Sequence, residues 1–276
     1  MGKTMNNLRS ISKRIYGRQH GPITRLISPN DVGELLKPFI LLDYFSAEIT
    51  PGFGFPMHPH SGIATLTWQP GSDVQYQDTT GKSGTLKADG LEWMNAGGGA
   101  WHQGMLQGSG RVTGFQLWVP MPPAIEDGHS LGHYVPPDEV PVVPIVGGAV
   151  KVLLGSFESA RSPITSHQDM NYFVISLASG QTWRYQPPTE HDVAFAFKFE
   201  GDGFIQGMPA ESELLVFEEG AGKIEISAAA INITVLLGTA KKHPYPLILG
   251  SSSVHTNTKS LKRSLEKIRQ IGANLS

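Results

Sequence analysis

The 276-residue chain contains no cysteine. That excludes disulfides, Cys-ligated zinc, iron–sulfur clusters and a thiol nucleophile, so any metal must rest on His, carboxylate or carbonyl groups. Charge is also sparse: 17% of residues are Asp, Glu, Lys or Arg and the formal net charge is −2. A nucleic-acid binder needs a concentrated basic surface to neutralise phosphate, so direct nucleic-acid binding is not expected. No apolar run reaches the ~18–20 residues of a membrane span, and the first thirty residues carry no apolar signal-peptide core. The expectation is a cytoplasmic protein with no membrane partner. Residues 1–30 lack acids but hold Lys3, Arg9, Lys13, Arg14, Arg18 and Arg25. A targeting peptide is one reading of that bias. Ile11, Ile15 and Tyr16 interrupt any single helical face and favour an exposed strand with basic outward positions.

Glycine and proline are plentiful, at 32 and 20 residues. This punctuation disfavours a helical bundle and points to many short elements joined by turns. The runs Ile63–Trp68, Gly114–Val119, Tyr172–Leu177 and Ile231–Leu237 are rich in β-branched and aromatic residues and stop at Gly or Pro. That is the pattern of an all-β sandwich or barrel. At ~150 residues per domain the length suggests about two domains. Residues 120–148, with seven prolines, read as the linker between domains 1–130 and 131–276. Near the end, Leu261, Leu265, Ile268 and Ile271 recur at spacings of four and three, which predicts one amphipathic helix packed on a sheet. Thr258 or Ser260 could cap it.

His58-Pro59-His60 is the sharpest chemical feature. On a strand, residues i and i+2 share a face, so both imidazoles can reach one ion. The plain alternative is a pair of loop histidines beside a proline turn. A later run, Asn95-Ala96-Gly97-Gly98-Gly99-Ala100-Trp101-His102, lets the backbone turn sharply and can bring His102 to the same place. Three neutral nitrogens with open positions suit one divalent transition metal: Fe, Ni, Cu, Mn or Zn. His129 and His133 have the spacing of a helical zinc pair, but Gly128, Gly132 and Pro136-Pro137 argue for a surface loop. Glu190-His191-Asp192 reads as a lone polar cluster. Trp93 and Trp118 read as core or pocket wall, and Trp101, beside His102, as a pocket residue.

The segments 38–45, 54–62 and 91–102, continued by Gln116-Leu117-Trp118-Val119 and by His243–Pro246, Val254–Thr258 and the terminal helix, resemble the pirin family. The resemblance implies an all-β bicupin: two antiparallel β-sandwich or jelly-roll domains with a short C-terminal helix, the second domain being read as metal-free. It implies metal ligands at His58, His60 and His102, with iron the first choice, and a pocket including Trp101, Gln116 and Met57. Pirins carry a fourth ligand, a Glu two residues after the later His; that position is Gly104. Ala64 stands where Glu is usual, Met57 for an Asp and Ser61 for an Arg. Gln103 should face away from His102, and Glu92 should lie outside the ligand set. Some pirins open the flavonol ring of quercetin with dioxygen, where the missing Glu would be the natural base. A small aromatic hydroxy compound is therefore one expected partner. The alternative is a non-catalytic regulatory protein partnering a transcription factor or metabolic enzyme. A third reading is a degenerate cupin that binds an organic anion without metal.

Overall fold

The computed structural model describes residues 7–50 and 52–275. The four expected strand runs fall on the strands Ile63–Trp68, Gly110–Pro120, Met170–Leu177 and Ile224–Ala240. The sheets are antiparallel, and the amphipathic segment is the helix Thr258–Ala273. Asn257, rather than Thr258 or Ser260, caps this helix: its side chain accepts a hydrogen bond from the Ser260 amide. Leu261 and Ile268 are buried, so the apolar stripe is covered as expected.

The chain forms two compact units that are not contiguous in sequence. One comprises Arg18–Val140 with His243–Ser276, the other Met1–Gly17 with Pro141–Lys242. The simple division into 1–130 and 131–276 is therefore corrected at both ends. Strand Ile11–Ile15 pairs with Leu214–Phe217, with Ser12, Lys13 and Arg14 exposed, and this ties the amino-terminal segment to the later unit. Arg14 pairs there with Glu213, and the Arg9 guanidinium donates to the carbonyls of Glu218, His191 and Asp192. Lys3 lies outside the described residues. Nor is 120–148 a plain linker. It contains strand Leu131–Val135, paired with Leu91–Asn95, and strand Val142–Ile145, paired with Gly148–Leu154.

In the first unit, a seven-stranded sheet runs in the order Leu131–Val135, Leu91–Asn95, Ile63–Trp68, Gly110–Pro120, Leu41–Ile49, Ile23–Ile27, Arg18–His20. A four-stranded sheet runs Gly54–His60, Ala100–Leu106, Val74–Asp78, Ser83–Leu86. The second unit is a nine-stranded sheet. Its 17-residue strand Ile224–Ala240 pairs with Thr182–Tyr185 at one end and Met170–Leu177 at the other, so one strand serves two stretches of the sandwich.

Candidate metal centre

Three features of the backbone bring the histidines together. His58 and His102 are direct partners across the strands Gly54–His60 and Ala100–Leu106, and so share a face. His60 follows two residues after His58 and takes the same face. A register irregularity opposite Gly104 pairs it with Phe55, which returns Phe55 to the side of the histidines. The turn before His102 needs its glycines. Gly97 has φ +48°, and a Cβ there would meet the Gly128 carbonyl oxygen at 2.3 Å.

The ligand nitrogens of His58, His60 and His102 lie within 4.8 Å of one another. Each ring is oriented by a fixed acceptor. His58 Nδ1 donates to the Pro56 carbonyl at 2.7 Å, and His60 Nδ1 to the Ser252 carbonyl at 3.0 Å. His102 Nδ1 donates to Glu92 Oε1 at 2.7 Å. A carbonyl or carboxylate can only accept, so the proton of each neutral ring sits on Nδ1 and Nε2 is bare. His60 Nε2 is buried without a hydrogen-bond partner. His102 Nε2 and His58 Nε2 face each other at 3.0 Å. Bare lone pairs at that distance repel unless a cation or a proton lies between them. Burial, and next the neighbouring His102, holds His58 below its ordinary value, and the same causes with His58 added hold His60 well below it. Both rings thus resist taking up a proton, while a divalent cation satisfies all three nitrogens. The donor set fits a metal.

Glu92 is the functional residue that spacing alone did not place. It is only 5% exposed and reaches His102 from the facing sheet. A carboxylate on the distal nitrogen of a metal-binding His fixes its tautomer and raises its basicity. Glu92 belongs to a polar row formed by register partners across five strand pairs: Arg25, Asp43, Gln116, Thr67, Glu92, Tyr134. Asp43 is held by Arg25 through two hydrogen bonds of 2.8 Å. Thr67 Oγ1 and Gln69 Oε1 are buried without hydrogen-bond partners. The signal for these residues was visible: Asp43 and Glu92 each interrupt an apolar strand run, and carboxylates are seldom buried unpaired.

A cavity of about 50 Å³ opens beside His58 and His102, with Asp43, Thr67, Glu92 and Gln116 among its walls. Gly104 lines it too, and a Cβ there would meet only Val74 Cγ1, at 3.2 Å. Gln116 is thus on the wall, whereas Trp101 and Met57 are not among the lining residues, and their assignment to the pocket is corrected. Trp101 neighbours His102 on a strand and so faces the other way; its Nε1 donates to the Ile268 carbonyl of the terminal helix. The alternation that turns Gln103 away applies equally to Trp101. Met57 lies in the irregular stretch between Phe55 and His58. Ala64 is fully buried and off the cavity.

The other candidates lie elsewhere. His133 is on a strand and His129 is exposed, so no helical pair forms. His191 is 1% exposed, bonded to Thr239 Oγ1 and Asp169 Oδ1 in the second unit. Among the described residues, no helix is long and apolar enough to cross a membrane.

Comparison with known proteins agrees with this architecture. The pirin family model matches residues 22–119. A pirin-like protein of Caulobacter vibrioides is 32% identical over 185 residues, covering 65% of this chain and 66% of that protein. A crystal structure of quercetin 2,3-dioxygenase from Acinetobacter baumannii superposes with a TM-score of 0.86 at 21% identity, covering 95% of this chain and 97% of that one. The nickel(II) complex of the bacterial pirin YhhW from Escherichia coli gives 0.62 at 21% identity, covering 85% and 98%. At such identities these two likenesses concern the fold. By its domain over residues 22–119, its pirin-like relatives and its two β-units, the chain is a pirin-domain protein with a bicupin fold.

Proposed function

We propose that the chain is a mononuclear metalloprotein that holds one divalent transition metal, iron first among the candidates, through Nε2 of His58, His60 and His102. The observation that carries this reading is the set of three Nδ1 atoms fixed by Pro56, Ser252 and Glu92, which leaves three bare Nε2 atoms converging. A bound metal with open positions would supply a Lewis acid and a site for a small ligand. The cavity walls would do the rest: Phe55 and Phe115 exclude water, while Gln116 and Thr67 offer hydrogen bonds to a hydroxyl group. The substrate reading is an aromatic hydroxy compound of flavonol type, supported by the likeness to a quercetin dioxygenase. Elemental analysis of the purified protein should show that His58→Ala loses one equivalent of transition metal relative to the intact chain. A metal content in that variant equal to that of the intact chain would sink the reading.

A specific observation favours the second reading, a non-catalytic binding or regulatory protein. Gly104 supplies no base, and the 50 Å³ cavity is far below the ~300–1,000 Å³ of ordinary small-molecule sites. Quercetin turnover separates the two. On the regulatory reading the intact protein is inactive, and Gly104→Glu, whose Cβ would meet Val74 alone, gains activity. Turnover by the intact protein that disappears in His102→Ala would establish the enzyme instead.

A further inference from the structure

A second group of donors lies in the first unit, away from the three histidines: Glu126, Asp127 and His255, whose ligand atoms are also within 4.8 Å of one another. Glu126 and His255 are each only 1% exposed. Ser61 Oγ donates to Ser253 Oγ at 2.8 Å, so the contact of 3.0 Å between Ser61 Oγ and His255 Nε2 takes its proton from the ring. That places the imidazole proton on Nε2 and leaves Nδ1 bare. His255 Nδ1 has no hydrogen-bond partner, yet it points at Glu126 Oε2 and Asp127 Oδ1, 3.7 Å from each. A bare nitrogen facing two carboxylates is repulsive unless a cation joins them.

The distances support that cation. They are too long for hydrogen bonds. Two donors on a tetrahedral ion, with bonds of about 2.0–2.2 Å, lie roughly 3.4 Å apart, so a shift of a few tenths of an ångström completes the geometry. The carboxylates are already oriented from behind. Glu126 accepts from the Thr256 amide and hydroxyl and from Asn257 Nδ2. Asp127 is held by Arg263 on Oδ2 and by Ser264 Oγ on Oδ1. The hydrogen-bond partners of buried Glu126 are thus neutral, and among them no cation faces its carboxyl group. Burial outweighs the pull of the two acids and keeps His255 below its ordinary value, in the ligating form. Asp127, with a third of its side chain exposed, provides the path of entry.

We propose that Glu126, Asp127 and His255 form a second, structural site for a borderline divalent cation, of which Zn(II) is the representative, independent of the cupin histidines. Its place in the fold gives it a task. Residues 252–255 carry the Ser252 carbonyl that orients His60 and the Ser253 hydroxyl that holds Ser61. Gly62, at φ +72°, lets this segment approach, because a Cβ there would lie 2.0 Å from the Val254 carbonyl oxygen. A cation at the second site pins that segment and the start of the terminal helix to the 126–127 turn.

The test counts Zn(II), used alone as probe, by equilibrium dialysis and elemental analysis of the full chain. His58→Ala/His102→Ala should retain one equivalent, with a rise in thermal midpoint of about 5 °C at saturating Zn(II). Adding His255→Gln should weaken uptake at least tenfold and abolish the rise. If His255→Gln does not fold, Asp127→Asn, the outermost of the three, decides in its place. No stoichiometric uptake by the double variant overturns the site, as does undiminished uptake when His255 or Asp127 is replaced.

Discussion

The two units build comparable cross-strand rows from opposite materials. In the second unit, register partners Val152, Phe173, Leu237, Ala196 and Leu215 form an apolar row inside one cluster of eighteen buried residues. In the first, the corresponding kind of row is Arg25, Asp43, Gln116, Thr67, Glu92 and Tyr134. The first unit also buries apolar side chains, Leu42, Leu66, Leu91 and Leu117 among them, so its polar row is set within an apolar sandwich. Along these rows one sandwich closes by hydrophobic burial, while the other carries buried Asp43 and Glu92 and the unpartnered Thr67 hydroxyl, with His102 and the unpartnered Gln69 oxygen beside them at the cavity. Such groups are destabilising unless paired. The difference frames an expectation: the second unit's row serves stability alone, and the first unit's row serves the metal proposed above.

The comparison can be broken most forcefully in the apolar row. Phe173 is fully buried, and Phe173→Ala should cost about 3–5 kcal/mol in urea unfolding while leaving metal content per folded molecule unchanged. An equal loss of metal would show that the roles are not divided. In the polar row, Glu92→Gln should lower metal affinity roughly 10–100-fold, measured against a competing chelator, with far less effect on unfolding than Phe173→Ala.

Acid should act on the first unit. Burial, followed by the Lys37 charge, lowers His243 to about 4. Because this is below the ordinary 6.5, the unfolded chain takes up the proton first as pH falls. The associated stability is complete above pH 6.5 and lost on acidification towards pH 4. His58 and His60 act with the same sign. Urea midpoints measured from pH 7.5 to 4.5 should decline, and His243→Gln should make the decline shallower. The smallest effect sharpens the contrast instead. Thr67→Val removes a buried hydroxyl without a partner and should raise stability by about 1 kcal/mol, read from the same midpoints, with metal content unchanged.

Much of this was legible in the chain itself. The strands around Ile63–Trp68 and Tyr172–Leu177 follow from β-branched runs bounded by Gly or Pro, because local sterics and turns act over a few residues. His58, His60 and His102 stand out by spacing and by the glycine run, and Gly104 marks the departure from the family pattern. Local alternation also sufficed to turn Trp101 away from the cavity, had it been applied as it was to Gln103.

Tertiary structure decided the rest. Which unit receives residues 11–15, and which receives the terminal helix, depends on pairings separated by some two hundred positions, such as Ile11 with Phe217. Glu92 is ten residues from His102 in sequence but meets it from the opposite sheet. His255 reaches Glu126 only because the chain returns to its first unit after completing the second. Sequence determines strand faces and candidate donors because those are set by backbone periodicity. Only folding selects which donors converge, because hydrogen bonding and burial act through space between strands that no local pattern orders.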